Sequence, residues 1–196
     1  LSEILKLWLK EKYAKPGNVF VGVTHRLDRP VSGLVVFAKT SKALSRLNDM
    51  FRNGEMKKSY WAIVKNRPPK TEDEITHYLI RNEKQNKSIA YDAMKQGARQ
   101  AVLGYKLIAS SDRYHLLEID LKTGRHHQIR VQTSSRGFGI WGDTKYNPIY
   151  QKTKKKYKEI GLFAARIAFD HPTTHERMVF KADPSGEAFD LLEMTE

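Results

Sequence analysis

Hydrophobic positions recur along this chain at two spacings, which predict helices near both ends and strands between them. Apolar residues three or four apart predict a first helix over residues 1–13. A second helix is expected to begin at a cap provided by Thr40 or Ser41 and to stop at Gly54. A closing helix is predicted over residues 184–193, with a proline near its first turn.

Short apolar runs predict the strands. They cover residues 19–23, 34–38, 59–64, 101–108, 114–121, 162–169 and 178–181. Strands 101–108 and 114–121 are expected to pair antiparallel, and the segment 125–132 is a candidate helix start. The lysine-rich stretch 150–158 is expected to form a loop or a solvated helix. No internal repeat or low-complexity linker is present, so the simplest account is one α+β domain.

Composition adds limits to this picture. The chain has 196 residues, of which 40% are hydrophobic and 29% charged, as in a folded domain. No apolar run approaches the roughly 20 residues that span a bilayer. The absence of cysteine excludes disulfides, thiolate metal sites and cysteine nucleophiles. Residues 1–11 mix acids with lysines, which does not fit a signal peptide. Because the chain begins at Leu1 rather than Met, we expect a fragment or an unobserved beginning.

The charge balance points to a polyanionic partner. Thirty-five lysines and arginines against 22 acids give a net charge of +13, which favours nucleic acid first and an anionic membrane surface second. A merely basic surface is the alternative. The basic residues are scattered over strands and loops rather than along one amphipathic helix, which weakens the membrane interpretation.

Two segments combine charge with groups that could do chemistry. In the first, Asp28 lies between Arg26 and Arg29 in a loop that joins two predicted strands, where positive charge would keep a carboxylate ionised. The alternative is a turn with a surface ion pair. In the second, Tyr60 or Trp61 could present a ring to a nucleobase while neighbouring lysines meet phosphates. The alternative is core packing.

A third segment places basic and polar side chains just after a Thr-Gly stop. Arg125, Gln128 and Arg130 cluster there, and a helix start would offer free N–H groups to a phosphate. The adjacent His126 and His127 suggest a metal site. Adjacent residues do not share a helix face, however, and no further ligand is spaced to complete a site. We therefore expect hydrogen-bonded or solvent-facing histidines.

Other motifs restrict the function less. GDTKY, at residues 142–146, is a turn by default, and the lysines of 152–158 form a solvated charge run unless they face the other basic groups. GxxxxGK[ST], GxGxxG, HExxH and GxSxG are all absent from the sequence. Nucleotide hydrolysis, dinucleotide redox chemistry, zinc proteolysis and α/β-hydrolase chemistry therefore have no motif support.

The order of these segments along the chain is more specific for a protein family than any one segment alone. HRLDRPVSGLVVFAKT, MKKSYWAIV, LKTGRHHQIRVQ, GDTKY and LFAARIAFDHP follow one another over roughly residues 19–189, and together they resemble the RluA-type RNA pseudouridine synthase family. The resemblance implies a single domain with a mixed, mainly antiparallel central sheet, flanking helices and a basic cleft. It also implies a monomeric cytoplasmic enzyme that flips a uridine out of ribosomal or transfer RNA and isomerises it without cofactor or metal.

The resemblance also assigns roles to residues. Asp28 stands at the position of the family's catalytic aspartate, Tyr60 at that of its active-site tyrosine and Arg130 at that of the arginine paired with the aspartate. The Tyr60 hydroxyl is a candidate for removing the proton from carbon 5. The predicted RNA-binding residues are Arg26, Arg29, Lys58, Arg125, His126 and Gln128. The predicted pocket residues are Leu27, Ile129 and Leu162.

The sequence departs from the family pattern at three places. Val31 stands where the family has threonine, and Phe163 stands where it has histidine. The family's first motif has no counterpart and is expected to lie before Leu1, and the accessory RNA-binding domain of many relatives is also absent from this chain. Two alternatives stay open, a catalytically silent RNA-binding module on the same scaffold and an unrelated DNA-binding domain. The joint presence of the three catalytic positions favours the enzyme.

Overall fold

The chain folds into two units, each assembled from separate stretches, in a computed structural model that describes residues 1–193. The smaller unit comprises Leu1–Leu27, Val35–Met56 and Ala168–Val179, and the larger one comprises Asp28–Leu34, Lys57–Ile167 and residues 180–193. The elements in chain order are α1 (Ser2–Lys12), β1 (Gly22–Val23), β2 (Ser32–Gly33), β3 (Phe37–Ala38), α2 (Ser41–Arg52), β4 (Lys57–Val64), β5 (Glu72–Asn82), β6 (Lys87–Tyr91), β7 (Arg99–Ser110), β8 (His115–Leu121), α3 (Gln128–Ser135), α4 (Pro148–Gln151), β9 (Leu162–Asp170), β10 (Arg177–Lys181) and α5 (Glu187–Glu193).

The first two helices agree with the prediction. Helix α2 is capped by Thr40, whose hydroxyl accepts a hydrogen bond from the backbone N–H of Ala43 at 3.1 Å. Its chain reverses at Gly54, where φ is +74°, a backbone conformation that favours glycine. The buried face of this helix carries Leu47 and Met50.

Strands β1 and β3 are shorter than predicted. They pair antiparallel through only two residues each, with Val23 opposite Phe37. At the next position, side chains replace the backbone ladder. The Thr24 hydroxyl donates to the carbonyl of Val36, and the N–H of Val36 donates to Nε2 of His25 at 3.0 Å. The backbone groups are satisfied without a continued strand, so the regular pairing ends there.

Most strands of the structure form a mixed, mainly antiparallel sheet, which confirms the predicted fold class. Its strand order is β10-β9-β4-β8-β7-β5-β6, with β2 parallel to β9. The predicted pairing of the two middle strands is confirmed, with Leu107 opposite Leu117. Strands β5 and β6 were not predicted. Their inward positions include His77 and Ser88 among the apolar residues, which hides the alternating pattern.

Helix α3 packs against β5 and β6 and supplies the core of this part of the sheet. Its Val131 joins Leu79 and Ala101 in a buried cluster. The helix starts at Gln128, three residues later than the predicted segment. The Gln128 side chain explains the difference, because its Oε1 accepts hydrogen bonds from the N–H of Arg125 and the hydroxyl of Thr123 and so holds that loop outside the helix.

The remaining differences lie in the last third of the chain. Helix α4 is a single turn, and residues 152–156 continue without regular structure, so the lysine-rich stretch is mostly loop. Helix α5 begins at Glu187 rather than at residue 184. None of the helices within residues 1–193 is both long and apolar enough to cross a membrane.

Candidate active site

The loop that carries Asp28 is fixed to the sheet on its C-terminal side. The N–H of Val31 donates to the carbonyl of Asp28 at 2.9 Å, which closes a tight turn. Strand β2 then runs parallel to β9 with Gly33 opposite Ala164. A side chain at position 33 would lie 2.5 Å from the Ala164 carbonyl, and φ there is +117°, so only glycine allows this approach. The carboxylate of Asp28 is thereby held half-buried, with 28% of its side chain exposed.

Arg130 joins this carboxylate to a second one. Its Nη1 donates to Oδ2 of Asp28 at 3.2 Å, while Nε and Nη2 donate to the two oxygens of Asp143 at 2.8 and 2.9 Å. The side chains of Arg130 and Asp143 are only 6% and 1% exposed. Burial lowers the pKa of Arg130, but hydrogen bonds and charge from Asp143 and Asp28 more than compensate and raise it above its usual value. The guanidinium is therefore a permanent, oriented cation.

The turn that follows Trp141 positions Asp143. Oδ1 of Asp143 also accepts the backbone N–H of Lys145 at 3.0 Å, which makes the carboxylate part of its own turn. Gly142 precedes it with φ at +71°, and the ring of Tyr157 occupies the space where a side chain would lie, 3.1 Å away. Local turn chemistry thus aims Asp143 at the guanidinium. The sequence predicts a turn at GDTKY. The structure has that turn, and the turn also carries Asp143, the buried partner of Arg130.

Tyr60 lies on β4 and is buried. Burial, together with the charge of Asp28, raises the pKa of its phenol to about 12. The hydroxyl is therefore protonated at neutral pH. Asp28 and Arg130 are thus in direct contact, and the charge of Asp28 acts on Tyr60.

A second layer of side chains lies behind the carboxylate. Nε2 of His127 is 3.8 Å from Oδ2 of Asp28, and its Nδ1 is 2.7 Å from the hydroxyl of Tyr146. The Tyr146 ring also lies 5.2 Å from the guanidinium carbon of Arg130. Burial lowers the pKa of His127 to about 4, with Asp28 opposing the shift and Arg130 reinforcing it, so this imidazole is neutral at pH 7.

The turn of the β5–β6 hairpin adjoins this layer. The ring of His126 stacks on that of His127 at 3.7 Å, and its two nitrogens lie 3.0 Å from the hydroxyl of Ser88 and 3.1 Å from the amide oxygen of Asn86. The N–H of Ser88 donates to the Tyr146 hydroxyl at 2.7 Å. Both histidines are hydrogen-bonded, as expected. Sequence reasoning missed the involvement of His127 and Tyr146, and the only available signal was their place in two of the quoted motifs.

The predicted RNA-binding residues occupy different settings. Arg29 and Arg125 are exposed, and Arg125 donates from Nε to the carbonyl of Gln100. Lys58 is half-buried, and burial lowers its pKa. Gln128 is buried, and its amide hydrogen-bonds within the protein rather than facing solvent. Arg26, which is exposed, belongs to the smaller unit.

The predicted pocket residues also divide between the units. Ile129 and Leu162 are buried in the larger unit, and Leu27 is half-buried in the smaller one. Within residues 1–193, no group of three or more histidine, aspartate or glutamate side chains is arranged to hold a metal ion.

Comparison with known proteins identifies relatives of this chain. A family model described as RNA pseudouridylate synthase matches residues 1–135. The chain is 33% identical over 174 residues to tRNA pseudouridine synthase C of Vibrio parahaemolyticus, covering 81% of this chain and 70% of that protein. It is 32% identical over 171 residues to ribosomal large subunit pseudouridine synthase D of Zymomonas mobilis, covering 83% and 52%. The match thus spans about half the length of some curated relatives.

Solved structures show the same fold. Human RNA pseudouridylate synthase domain containing 4 superposes with a TM-score of 0.78 at 20% identity, covering 93% of this chain and 78% of that one. Human RNA pseudouridylate synthase domain containing 1 gives a TM-score of 0.73 at 21% identity, covering 92% and 75%.

Proposed function

The chain belongs to the RNA pseudouridylate synthase family, and on that premise we propose that it converts a uridine within RNA to pseudouridine with Asp28 as the catalytic carboxylate. Membership confirms the RluA-type resemblance predicted from the motifs. The substrate is ribosomal or transfer RNA, the two classes named for its relatives.

One observation carries the assignment of Asp28. Its carboxylate is half-buried in the larger unit, and both contacts from Arg130 and His127 converge on a single oxygen, Oδ2. Among the described residues, Oδ1 receives no hydrogen bond from a side chain. The carboxylate therefore presents one oxygen that contacts Arg130 and His127 and one oxygen available to a nucleoside.

The reaction requires no external donor. The bond between N1 of uracil and C1′ of ribose breaks, the base turns over, and C5 bonds to C1′ while C5 loses a proton and N1 gains one. Asp28 acts on the reacting nucleoside, and Arg130 stabilises its negative charge. Tyr60 packs on the uracil and takes the C5 proton. Because its phenol is protonated at neutral pH, it must pass its own proton on, and we assign Asp28 as the acceptor. The proton that Asp28 receives is the one that N1 gains, so the carboxylate is restored at the end of the reaction.

The RNA partner follows from charge as well as from family. The target base must leave its stack at a cost of a few kcal/mol, which phosphate contacts along the protein offset. The chain has 13 more basic than acidic residues, and the exposed lysines of the larger unit include Lys152, Lys154 and Lys156. We assign phosphate binding to the basic surface as a whole. We also place the enzyme in the cytoplasm as a monomer that works without a metal or cofactor.

The substitution Asp28→Asn tests the proposal. Wild-type protein and variant are incubated with total RNA from a strain that lacks the protein, and pseudouridine is mapped. We expect a site modified by the wild type and a loss of at least about 10³-fold in the variant, with RNA affinity nearly unchanged. Asp112→Asn, at an exposed turn of the same unit, is the matched control and should retain full activity.

Two results would contradict this proposal. If Asp28→Asn turns over like the wild type, the carboxylate is not catalytic. If the wild type binds RNA but modifies no uridine, the silent RNA-binding module is the correct interpretation. Tyr60→Phe refines the assignment, because it should retain binding and lose about 10²–10⁴-fold in rate if the hydroxyl transfers a proton.

A further inference from the structure

A chain of hydrogen-bonding groups leads from the β5–β6 hairpin to the carboxylate of Asp28. It begins at the backbone N–H of Ser88, which donates to the Tyr146 hydroxyl at 2.7 Å. It continues from that hydroxyl to Nδ1 of His127, also at 2.7 Å, and ends where Nε2 of His127 faces Oδ2 of Asp28 at 3.8 Å. The proposed reaction uses Asp28, Arg130 and Tyr60 but gives this chain no role.

The direction of the chain follows from counting protons. The backbone N–H of Ser88 can only donate, so the Tyr146 oxygen accepts that bond. The hydroxyl keeps its single proton, because burial raises the pKa of Tyr146 above its ordinary value. The acceptor 2.7 Å from that hydroxyl is Nδ1 of His127, and a bond in this direction makes Nδ1 the unprotonated nitrogen of the neutral imidazole. The proton of His127 therefore lies on Nε2, on the side of Asp28.

The ring of His127 has little freedom to turn away. It is 8% exposed, it stacks on the ring of His126 at 3.7 Å, and the edge of the Tyr146 ring packs against it. His126 is itself tied to Ser88, whose hydroxyl donates to the His126 carbonyl at 2.6 Å. The same hairpin residue thus orients the tyrosine and braces the stacked ring.

We propose that His127, set in its Nε2–H tautomer by Tyr146, is a positioning residue that donates a second hydrogen bond to Oδ2 of Asp28 and thereby directs Oδ1 at the nucleoside. This inference rests on the proposed catalytic role of Asp28. Catalytic hydrogen bonds are often long in the free enzyme and shorten when substrate binds. The 3.8 Å separation closes to a hydrogen bond when RNA fills the pocket.

The tautomer is tested first, because that measurement does not depend on activity. Protein labelled with ¹⁵N in its histidine rings is examined by two-bond nitrogen–proton correlation NMR at pH 7, and the His127 signals are identified by their absence in His127→Gln. We expect a neutral ring protonated on Nε2 in the wild type and a mixture of tautomers in Tyr146→Phe. A ring protonated on Nδ1 in the wild type would overturn the proposal.

Kinetics then test whether Tyr146 acts through His127. A glutamine side chain places an amide N–H near the position of Nε2 and has no tautomers, so His127→Gln should stay within about threefold of the wild-type kcat, whereas His127→Ala should lose about ten- to a hundredfold. Tyr146→Phe should lower kcat about tenfold in the wild type and less than twofold in the His127→Gln background. Affinity for an unmodified transcript of the mapped site should not change in any variant.

The controls separate a positioning role from a structural one. Tyr105→Phe removes a tyrosine hydroxyl that donates to a backbone carbonyl, and His115→Gln changes a histidine bonded to a serine. Neither residue contacts the Asp28 site in residues 1–193. Both should leave kcat unchanged. An equal Tyr146→Phe effect in both backgrounds, or an unaltered kcat in His127→Ala, refutes the inference. Because Asp28→Asn is assayed on the same transcript, its loss of activity alongside such a result would leave the proposed function intact.

Discussion

Two arginine–aspartate ion pairs in this protein have the same residue types but differ in burial. In the larger unit, Arg130 and Asp143 are joined by two hydrogen bonds of 2.8 and 2.9 Å, with 6% and 1% of their side chains exposed. In the smaller unit, Arg177 and Asp170 are joined by one bond of 3.1 Å, with 52% and 58% exposed. The first pair extends to a third charged group, the carboxylate of Asp28.

The difference shows what burial contributes to an ion pair. Removing two charges from water costs several kcal/mol each, and only close, complete hydrogen bonding offsets that cost. The Arg177–Asp170 pair keeps its hydration and gains little from contact. The Arg130–Asp143 pair instead fixes the orientation of the guanidinium, so that its remaining nitrogen faces Asp28. Its value lies in geometry, which an exposed pair of flexible side chains cannot provide.

The largest effect is expected from Asp143→Ala. The substitution leaves the guanidinium of Arg130 buried with only Asp28 to oppose it, so the free energy of unfolding should fall by about 3–5 kcal/mol. Urea denaturation at pH 7 measures it. A loss below about 1 kcal/mol would mean that the buried pair contributes no more to stability than an exposed pair. Burial would then not account for a difference between the two pairs.

An intermediate effect is expected from pH. The pKa of His127 in the folded protein is lowered to about 4, below the ordinary value near 6.5. The unfolded chain therefore binds more protons between these values, and stability is present above pH 6.5 and lost as pH falls toward 4. This contribution is on the order of 3 kcal/mol.

The variant His127→Gln should flatten the fall in stability between pH 6.5 and 4. Denaturation at pH 7, 5.5 and 4 gives the slopes of wild type and variant. His175→Gln, at an exposed position of the smaller unit, should leave the wild-type slope unaltered. Equal slopes for His127→Gln and wild type would show that the buried layer behind Asp28 does not hold its histidine neutral.

The smallest effect is expected from Asp170→Ala, the counterpart of Asp143→Ala. Exposed pairs contribute about 0–1 kcal/mol, so the free energy of unfolding should change by less than about 1 kcal/mol. Added salt should reduce even this difference, since screening acts on exposed charges. A loss of stability comparable with that of Asp143→Ala would imply that exposure does not explain the different contributions of the two ion pairs.

Prediction from sequence succeeded where local signals were strong. Helix α2 was predicted from its cap at Thr40 and its stop at Gly54, both of which act within a few residues. Strands β5 and β6 were missed, because polar residues occupy inward positions of both. His77 is only 2% exposed, and a nitrogen of its ring lies 3.4 Å from the buried amide of Gln132 on α3, a partner 55 residues away.

The amino-acid sequence by itself determined the family and predicted Asp28, Tyr60 and Arg130 as site residues, because each is embedded in a short motif whose residues are neighbours in the chain. The tertiary structure decided how these groups are joined. Arg130 divides its guanidinium between Asp143, 13 residues away, and Asp28, 102 residues away. Such contacts depend on how the strands pair and on where α3 packs, and no local pattern of side chains encodes that placement.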